Sequence, residues 1–184
     1  LTSCAAGLAH AELTAYWSFN DGNGDLLTDD TGRGNDGALM GTVMPSWSAG
    51  HSSAAGDTSL YFSGGPASTA SRVLLGDRAD LEPIGNQTLS MWVNPDLLNV
   101  RMDPYGKAYG GSGTLAQWEN GTVYYLCGDT GANSGTYHSS TVGAAYDYIN
   151  SGTALQANTW QHIASVRDLD SGVMRFYING VETA

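Results

Sequence analysis

Short apolar and aromatic runs alternate with clusters of Gly, Asn, Asp and Ser along most of the chain, and no stretch of about ten residues keeps a helical period. Within Thr88–Val93 polar and apolar residues alternate, which indicates a strand with one buried face. Val173–Ile178 alternates in the same way and leads into Asn179-Gly180, a pair suited to a tight hairpin turn because both residues tolerate positive φ. The runs that predict strands are Leu13–Phe19, Ser59–Phe62, Arg72–Leu75, Thr88–Val93, Thr122–Cys127, Trp160–Arg167 and Val173–Ile178. Many short strands with such turns predict an antiparallel all-β sandwich or jelly roll.

The same pattern predicts one further turn and part of the core. Asp168–Gly172 is rich in turn residues and is expected to reverse the chain between the last two long strands. Trp17, Trp92 and Trp160 fall within predicted strands or at their ends, so we expect these side chains in the core.

Composition narrows the classes of partner. The chain has 184 residues, with 7 Lys+Arg against 18 Asp+Glu and a formal net charge of −11. This acidic excess argues against nucleic acid and anionic lipid surfaces, because both attract basic patches. The hydrophobic content of 41% argues against a disordered acidic chain, and no apolar run approaches the roughly 18 residues of a transmembrane helix. The length favours a single domain with a short tail.

The first eleven residues are mostly small and apolar, and they include no Asp, Glu, Lys or Arg. Ala9-His10-Ala11 has the form of a signal peptidase site, which makes Glu12 the first mature residue. Two alternatives stay open: Leu1-Thr2-Ser3-Cys4 is similar to a lipobox in which Cys4 is lipidated, or the segment is not processed. We predict residues 1–11 to be a signal peptide remnant or lipobox segment, residues 12–184 to be one domain, and the protein to be extracytoplasmic, either secreted or attached to the cell envelope.

An acidic loop near the N-terminus is the sharpest chemical feature. Its carboxylate and amide side chains belong to Asn20, Asp21, Asn23, Asp25, Asp29, Asp30, Asn35 and Asp36. Calcium takes about six to eight hard oxygen ligands, so we predict a structural calcium site. Its candidate ligands are Asp21, Asp29, Asn35 and Asp36. An EF-hand is excluded because Leu26 and Gly32 stand where that loop needs Gly and Glu. The same residue types also build turns, and that alternative stays open.

The segment 99–158 is long and rich in Tyr, Gly and Ser. Exposed aromatic rings stack on the apolar faces of sugars, and neighbouring polar groups fix the orientation of the ligand. Long loops in compact domains often carry function. The residues that we predict to bind ligand are Tyr105, Tyr109, Trp118, Tyr137 and Tyr146. The alternative is that these aromatic side chains cover the core beneath a long loop.

Several motifs in a fixed order carry a family resemblance. They are Ala15–Gly22, Asp29–Leu39, Leu60–Gly64, Thr88–Pro95, Trp160–Arg167 and Phe176–Val181. Together they resemble laminin-G-like modules of the concanavalin A-like lectin/glucanase superfamily. The resemblance implies a two-sheet jelly roll and raises the prospect of calcium at a rim of the sandwich. It also implies further strands after Asn179-Gly180, so we expect the domain to lack its C-terminal strands.

Catalysis is not predicted. Glycosidases of the same fold need clustered carboxylates of the form Glu-x-Asp-x-x-Glu, and none of the four glutamates lies in that pattern. The sequence also lacks a nucleophile elbow and a zinc-protease motif.

The resulting hypothesis is a non-catalytic carbohydrate-binding or adhesion module of an exported bacterial protein. Its expected partner is a polysaccharide or glycoconjugate, with other domains or surface proteins as further partners. The alternatives are a protein-interaction or spacer domain without a sugar site and, less favoured, a glycosidase or polysaccharide lyase of the same fold.

Overall fold

The computed structural model describes residues 12–64, 69–76, 78–81, 86–100, 102–106, 113–119, 122–128, 146–168 and 170–184. These residues form antiparallel strands and one short 3₁₀ turn at Ala79–Leu81, with no α-helix among them, which confirms the all-β prediction. Within this described part of the chain, no helix is long and apolar enough to cross a bilayer. The chain divides into two compact units, one up to residue 77 and one from Arg78 onward.

The first unit contains two small antiparallel sheets. Its strands are β1 (Leu26–Leu27), β2 (Gly37–Met40), β3 (Ser46–Ala49), β4 (Thr58–Tyr61) and β5 (Arg72–Leu74). Strands β1, β2 and β5 form one sheet, and β3 and β4 form a hairpin. Because side chains alternate between the two faces of a strand, the three-stranded sheet has a buried and an exposed face. Leu27 and Leu39 lie on the buried face, whereas Leu26, Met40 and Leu74 lie on the exposed face.

The predicted strand at Leu13–Phe19 is wrong, because this segment joins no sheet. Its N–H groups instead donate to side-chain oxygens: the Tyr16 N–H to Asp29 Oδ1 at 3.2 Å and the Ser18 N–H to Asp30 Oδ2 at 3.0 Å. Carboxylates thus accept these two N–H groups in place of the carbonyl groups of a neighbouring strand, and the Tyr16 carbonyl accepts the Asp30 N–H at 2.8 Å.

The second unit contains two four-stranded antiparallel sheets. Its strands are β6 (Gln87–Val93), β7 (Met102–Gly106), β8 (Gly113–Glu119), β9 (Thr122–Gly128), β10 (Tyr146–Ala154), β11 (Gln161–Asp168), β12 (Val173–Ile178) and β13 (Val181–Glu182). One sheet has the order β6-β11-β12-β13, and the other has the order β7-β8-β9-β10.

Side chains from both of these sheets meet in one core. Its buried members are Val93, Leu155, Ile163, Met174 and Phe176. Met102 of β7 and Ile149 of β10 pack against this cluster. Because strands of each sheet contribute apolar side chains to the same cluster, the second unit is a two-layer sandwich, as the sequence predicts.

Two predicted turns of this unit are confirmed. Asn179 and Gly180 have φ values of 51° and 78°, which places both in the left-handed region of a tight hairpin turn. The Asn179 side chain also accepts a hydrogen bond from the His162 N–H at 2.9 Å, and the Asn179 N–H donates to the His162 carbonyl at 2.8 Å. In the other turn, Asp168 Oδ1 accepts the N–H groups of Asp170 and Ser171 at 3.0 and 3.1 Å.

Candidate functional site

Asp29 is the centre of the acidic loop, and its side chain is only 4% exposed. Oδ1 accepts the N–H groups of Tyr16 at 3.2 Å and Thr31 at 3.1 Å, and Oδ2 accepts the Asn35 N–H at 3.1 Å. The Thr31 hydroxyl lies 2.7 and 2.8 Å from the two oxygens. This geometry follows from local sequence, since an aspartate readily bonds to the backbone and hydroxyl groups two residues further on. One carboxylate therefore joins three parts of the first unit.

These donors control the charge of Asp29. Burial raises the pKa of the carboxyl group, but hydrogen bonds from the Thr31 hydroxyl and from the N–H groups of Tyr16, Thr31 and Asn35 outweigh it and lower the pKa to about 2. Hydrogen bonds that favour the ionised form have this effect. Asp29 is consequently an anion throughout the neutral and mildly acidic range.

The other three predicted calcium ligands belong to the same loop. Asp21 accepts the Thr28 hydroxyl at 2.6 Å through Oδ1 and the Thr28 N–H at 3.2 Å through Oδ2. Asp36 Oδ1 accepts the Asp29 N–H at 2.8 Å. Asn35 is 1% exposed, and its carbonyl accepts the Trp17 indole N–H at 2.9 Å. The loop thus brings Asp29, Asn35 and Asp36 together, while Asp21 bonds to Thr28.

The side-chain oxygens of this loop take part in hydrogen bonds within the protein. A calcium ion needs several oxygens that are directed at one point, but the Asp29 and Asp21 oxygens are directed at N–H and O–H donors. Among the residues that the structure describes, no three His, Cys, Asp or Glu side chains form a metal-binding group. The hydrogen bonds assign these side chains a structural role, and calcium binding stays a prediction from the sequence.

Three of the five aromatic residues that we predict to bind ligand are spread over one sheet of the second unit. Tyr105 is partly buried in β7 opposite Ala116, and Trp118 stands in β8 opposite Met102. Tyr146 begins β10 opposite Gly128, which pairs with Gly113 at the end of β8 remote from Trp118. Trp118 and Tyr146 are therefore not neighbours in the sheet. Tyr109 and Tyr137 lie outside the described residues.

A different aromatic surface lies on the other sheet of this unit, and sequence reasoning missed it. We call it the outer face; it consists of Thr88, Ser90, Trp92, His162, Ala164, Val166, Asp168, Arg175, Tyr177 and Glu182, which share one side of β6, β11, β12 and β13. The alternate positions of β11, from Gln161 to Arg167, are buried on the opposite side.

Trp92 is the largest side chain on the outer face and is 47% exposed, so its expected place in the core is wrong. The strand alternation explains this outcome, because Trp92 shares its face with Thr88 and Ser90 whereas Leu89, Met91 and Val93 point to the core side. The ring of His162, directly opposite, meets the indole edge to face with centroids 5.4 Å apart. Trp17 and Trp160 are partly buried.

Tyr177 provides the second aromatic ring of the outer face. It stands opposite Ala164 on one side and Glu182 on the other, and its hydroxyl donates to Glu182 Oε2 at 3.1 Å. Desolvation, the hydrogen bond to Glu182 and the charge of Glu182 raise the pKa of the phenol. Tyr177 therefore stays neutral and keeps its proton as a hydrogen-bond donor.

Comparison with known proteins identifies the family. The sequence model of a laminin G family, described as belonging to the concanavalin A-like lectin/glucanases superfamily, matches residues 50–184, and it confirms the resemblance seen in the motifs. No curated protein and no solved structure matches the chain. The matched range covers most of the chain and runs from the first unit through the whole second unit. The chain therefore belongs to the laminin G family of the concanavalin A-like lectin/glucanases superfamily.

Proposed function

We propose that the chain is a non-catalytic carbohydrate-binding or adhesion module of an exported bacterial protein. The observation that carries this proposal is the exposed Trp92 indole on one face of a four-stranded sheet. The hydroxyl group of Ser90 and the imidazole of His162 lie beside it, and the phenol of Tyr177 lies further along the same face. An indole offers an apolar surface to the C–H groups of a sugar ring, and the polar neighbours supply directional hydrogen bonds. Family membership agrees with a lectin-like role but does not identify a ligand.

The spacing of carboxylates on the outer face favours recognition over hydrolysis. Glu182 pairs with Tyr177 of β12, and Asp168 pairs with Val173 of the same strand, four residues away. Two spacings between strands and four residues along them place the α-carbons of Glu182 and Asp168 roughly 16 Å apart. Glycosidases that use two carboxyl groups need them about 5 to 10 Å apart. Glu182 also accepts the Tyr177 hydroxyl, which suits it to orienting polar groups.

A glycan array tests the proposal. The labelled 184-residue chain is expected to bind a subset of glycans, and Trp92→Ala is expected to abolish most of that signal because it removes the stacking surface. Tyr61→Ala is the matched control, since it removes another exposed aromatic side chain from the first unit. Thermal unfolding of each variant checks that it is folded. Absence of binding to any glycan, or equal loss in both variants, contradicts the proposal.

The extracytoplasmic location is also a proposal, and it is supported by the sequence of residues 1–11 alone. Mass spectrometry of protein recovered from culture medium and from the cell envelope tests it. A mature N-terminus at Glu12 supports cleavage, and a lipid-modified Cys4 supports anchoring. Recovery of unprocessed protein from the cytoplasm contradicts both routes.

A protein-interaction or spacer role is the second candidate, and a specific surface of the first unit favours it. Leu26, Met40 and Leu74 are exposed together on one face of the β1-β2-β5 sheet. Exposed apolar surfaces of this kind often mark contact sites. This role predicts a chain that binds no glycan and whose contacts with proteins are weakened by Leu74→Ser, whereas the carbohydrate role predicts that Leu74→Ser leaves glycan binding unchanged.

A further inference from the structure

The two aromatic rings of the outer face are separated by small side chains. Trp92 pairs with His162, and two residues further along β11 Ala164 pairs with both Ser90 and Tyr177. Tyr177 is thus two strands away from Trp92 and two residues further along, which places their α-carbons about 12 Å apart for ordinary strand geometry. The His162 ring packs against the indole, whereas Ser90 and Ala164 in the next row present little bulk, so a ligand can lie across the strands from one ring to the other.

The charges of this surface disfavour an anionic ligand. The outer face carries one basic residue, Arg175, against the acidic residues Asp168 and Glu182. The whole chain has a formal net charge of −11. An anionic polymer would therefore be repelled both by the face and by the field of the protein. A neutral ligand that is rich in hydroxyl groups meets no such repulsion.

Polar groups at the Tyr177 end can orient such a ligand. Glu182 accepts the Tyr177 hydroxyl through one oxygen, and a carboxylate has room for further donors. Glu182 is exposed, as are Thr88 and Ser90 at the β6 edge. The face therefore joins a stacking surface at one end to a ring with a fixed hydrogen-bonding group at the other, which suits a polyhydroxylated chain better than an apolar protein surface.

We propose that the outer face binds a neutral oligosaccharide that crosses the strands, with one sugar ring stacked on Trp92 and a later ring held beside Tyr177 and Glu182. This inference rests on the proposed carbohydrate-binding function and gives it a location, an orientation and a substrate class. A monosaccharide occupies only the Trp92 end. Contacts at Tyr177 therefore act on oligosaccharides alone.

The experiment compares ligands of increasing length on several variants. The probes are neutral and acidic glycans of one to six sugar units. Calorimetry measures the affinity of the protein for each glycan that binds. We expect affinity to rise with length for neutral glycans. Trp92→Ala should weaken every ligand by about tenfold or more, as the removal of a central aromatic contact does. Tyr177→Phe should weaken oligosaccharides by about two- to tenfold through the lost hydroxyl and leave monosaccharides unchanged.

The outcomes separate this inference from the function on which it rests. If glycans bind but the longer ones bind no better than monosaccharides, if Tyr177→Phe binds as the native chain does, or if acidic glycans bind best, the inference is wrong and the carbohydrate function stands. If no glycan binds, the function itself fails. Tyr177→Phe keeps the ring and thus the packing of the face, and Tyr61→Ala again controls for loss of an exposed aromatic side chain.

Discussion

Replacing Asp29 by Asn tests the structural role of the acidic loop. The substitution keeps the size of the side chain but removes its charge and turns one acceptor oxygen into a donor. The N–H of Asn35 and the hydroxyl of Thr31, which both bond to Oδ2, then face an amide NH₂ group. A hydrogen bond to a charged group contributes about 1.5–3 kcal/mol, and an unsatisfied buried N–H costs a similar amount. We expect Asp29→Asn to lower the free energy of unfolding by about 2–3 kcal/mol at pH 7.

Because the pKa of Asp29 is lowered, the free energy of unfolding should fall as the solution becomes more acidic. The folded pKa of about 2 lies below the ordinary aspartate value of 3.8, so ionised Asp29 stabilises the fold above about pH 4, and this contribution is lost as the pH falls through about 2. The full shift corresponds to about 2.4 kcal/mol. Because Asp30, Arg33 and Gly34 beside it are exposed, solvent screening reduces this to about 1 kcal/mol.

Two readouts follow this change. Urea denaturation at pH 7, 4 and 2.5 measures the global effect, and amide hydrogen exchange at Tyr16 and Asn35 measures the local one. Asp25→Asn is the matched control, because Asp25 lies in the same loop but is exposed. The reasoning is refuted if Asp29→Asn costs less than about 0.5 kcal/mol at pH 7, the range of ordinary surface substitutions. It is also refuted if the difference from the native chain does not shrink between pH 4 and 2.5.

Two other predictions concern calcium and the hairpin at Asn179. If the acidic loop binds calcium, as the sequence predicts, calcium should raise the melting temperature, because a ligand that binds the native state raises its stability. The rise should be lost in Asp29→Ala and kept in Asp147→Ala; no change with calcium or with a chelator would contradict the calcium site. Asn179→Gly should cost about 1 kcal/mol in urea denaturation, because it removes only the bond to the His162 N–H. Asn179→Ala should cost more, because Ala also resists the φ of 51°; equal costs would show that the turn conformation contributes nothing.

Two long strands of the second unit could be predicted because the alternation of polar and apolar residues within each strand is a local signal. In Thr88–Val93 and Val173–Ile178 the polar and apolar positions alternate with the period of a strand, and the pairing of β6, β11 and β12 places one set of these positions on the core. The hairpin at Asn179-Gly180 could be predicted for a related reason, since few residue pairs accept two positive φ values.

The elements that were missed or wrongly predicted lack a reliable local signal in the sequence. Leu13–Phe19 has the apolar and aromatic residues of a strand, but its Tyr16 and Ser18 N–H groups donate to the side chains of Asp29 and Asp30 instead of to a neighbouring strand. The strands β2, β3 and β13 are only two to four residues long, too short for alternation to be visible. The strands β7, β8 and β10 lie in the segment rich in Tyr, Gly and Ser, where strand and turn residues are mixed.

The candidate site shows that residue type locates chemistry less well than position does. The aspartates of the acidic loop have the composition of a calcium site, yet Thr28 and Thr31 supply hydroxyl and N–H donors to Asp21 and Asp29. The spacing Asp29-x-Thr31 was visible in the sequence as a turn signal. At Trp92, too, the position in the strand is more informative than the residue type.

Tryptophan in a strand suggests a core residue, but the alternation in Thr88–Val93 assigns Trp92 to the side of Thr88 and Ser90. The period of the strand therefore predicts the exposure of Trp92, which the identity of the residue alone conceals.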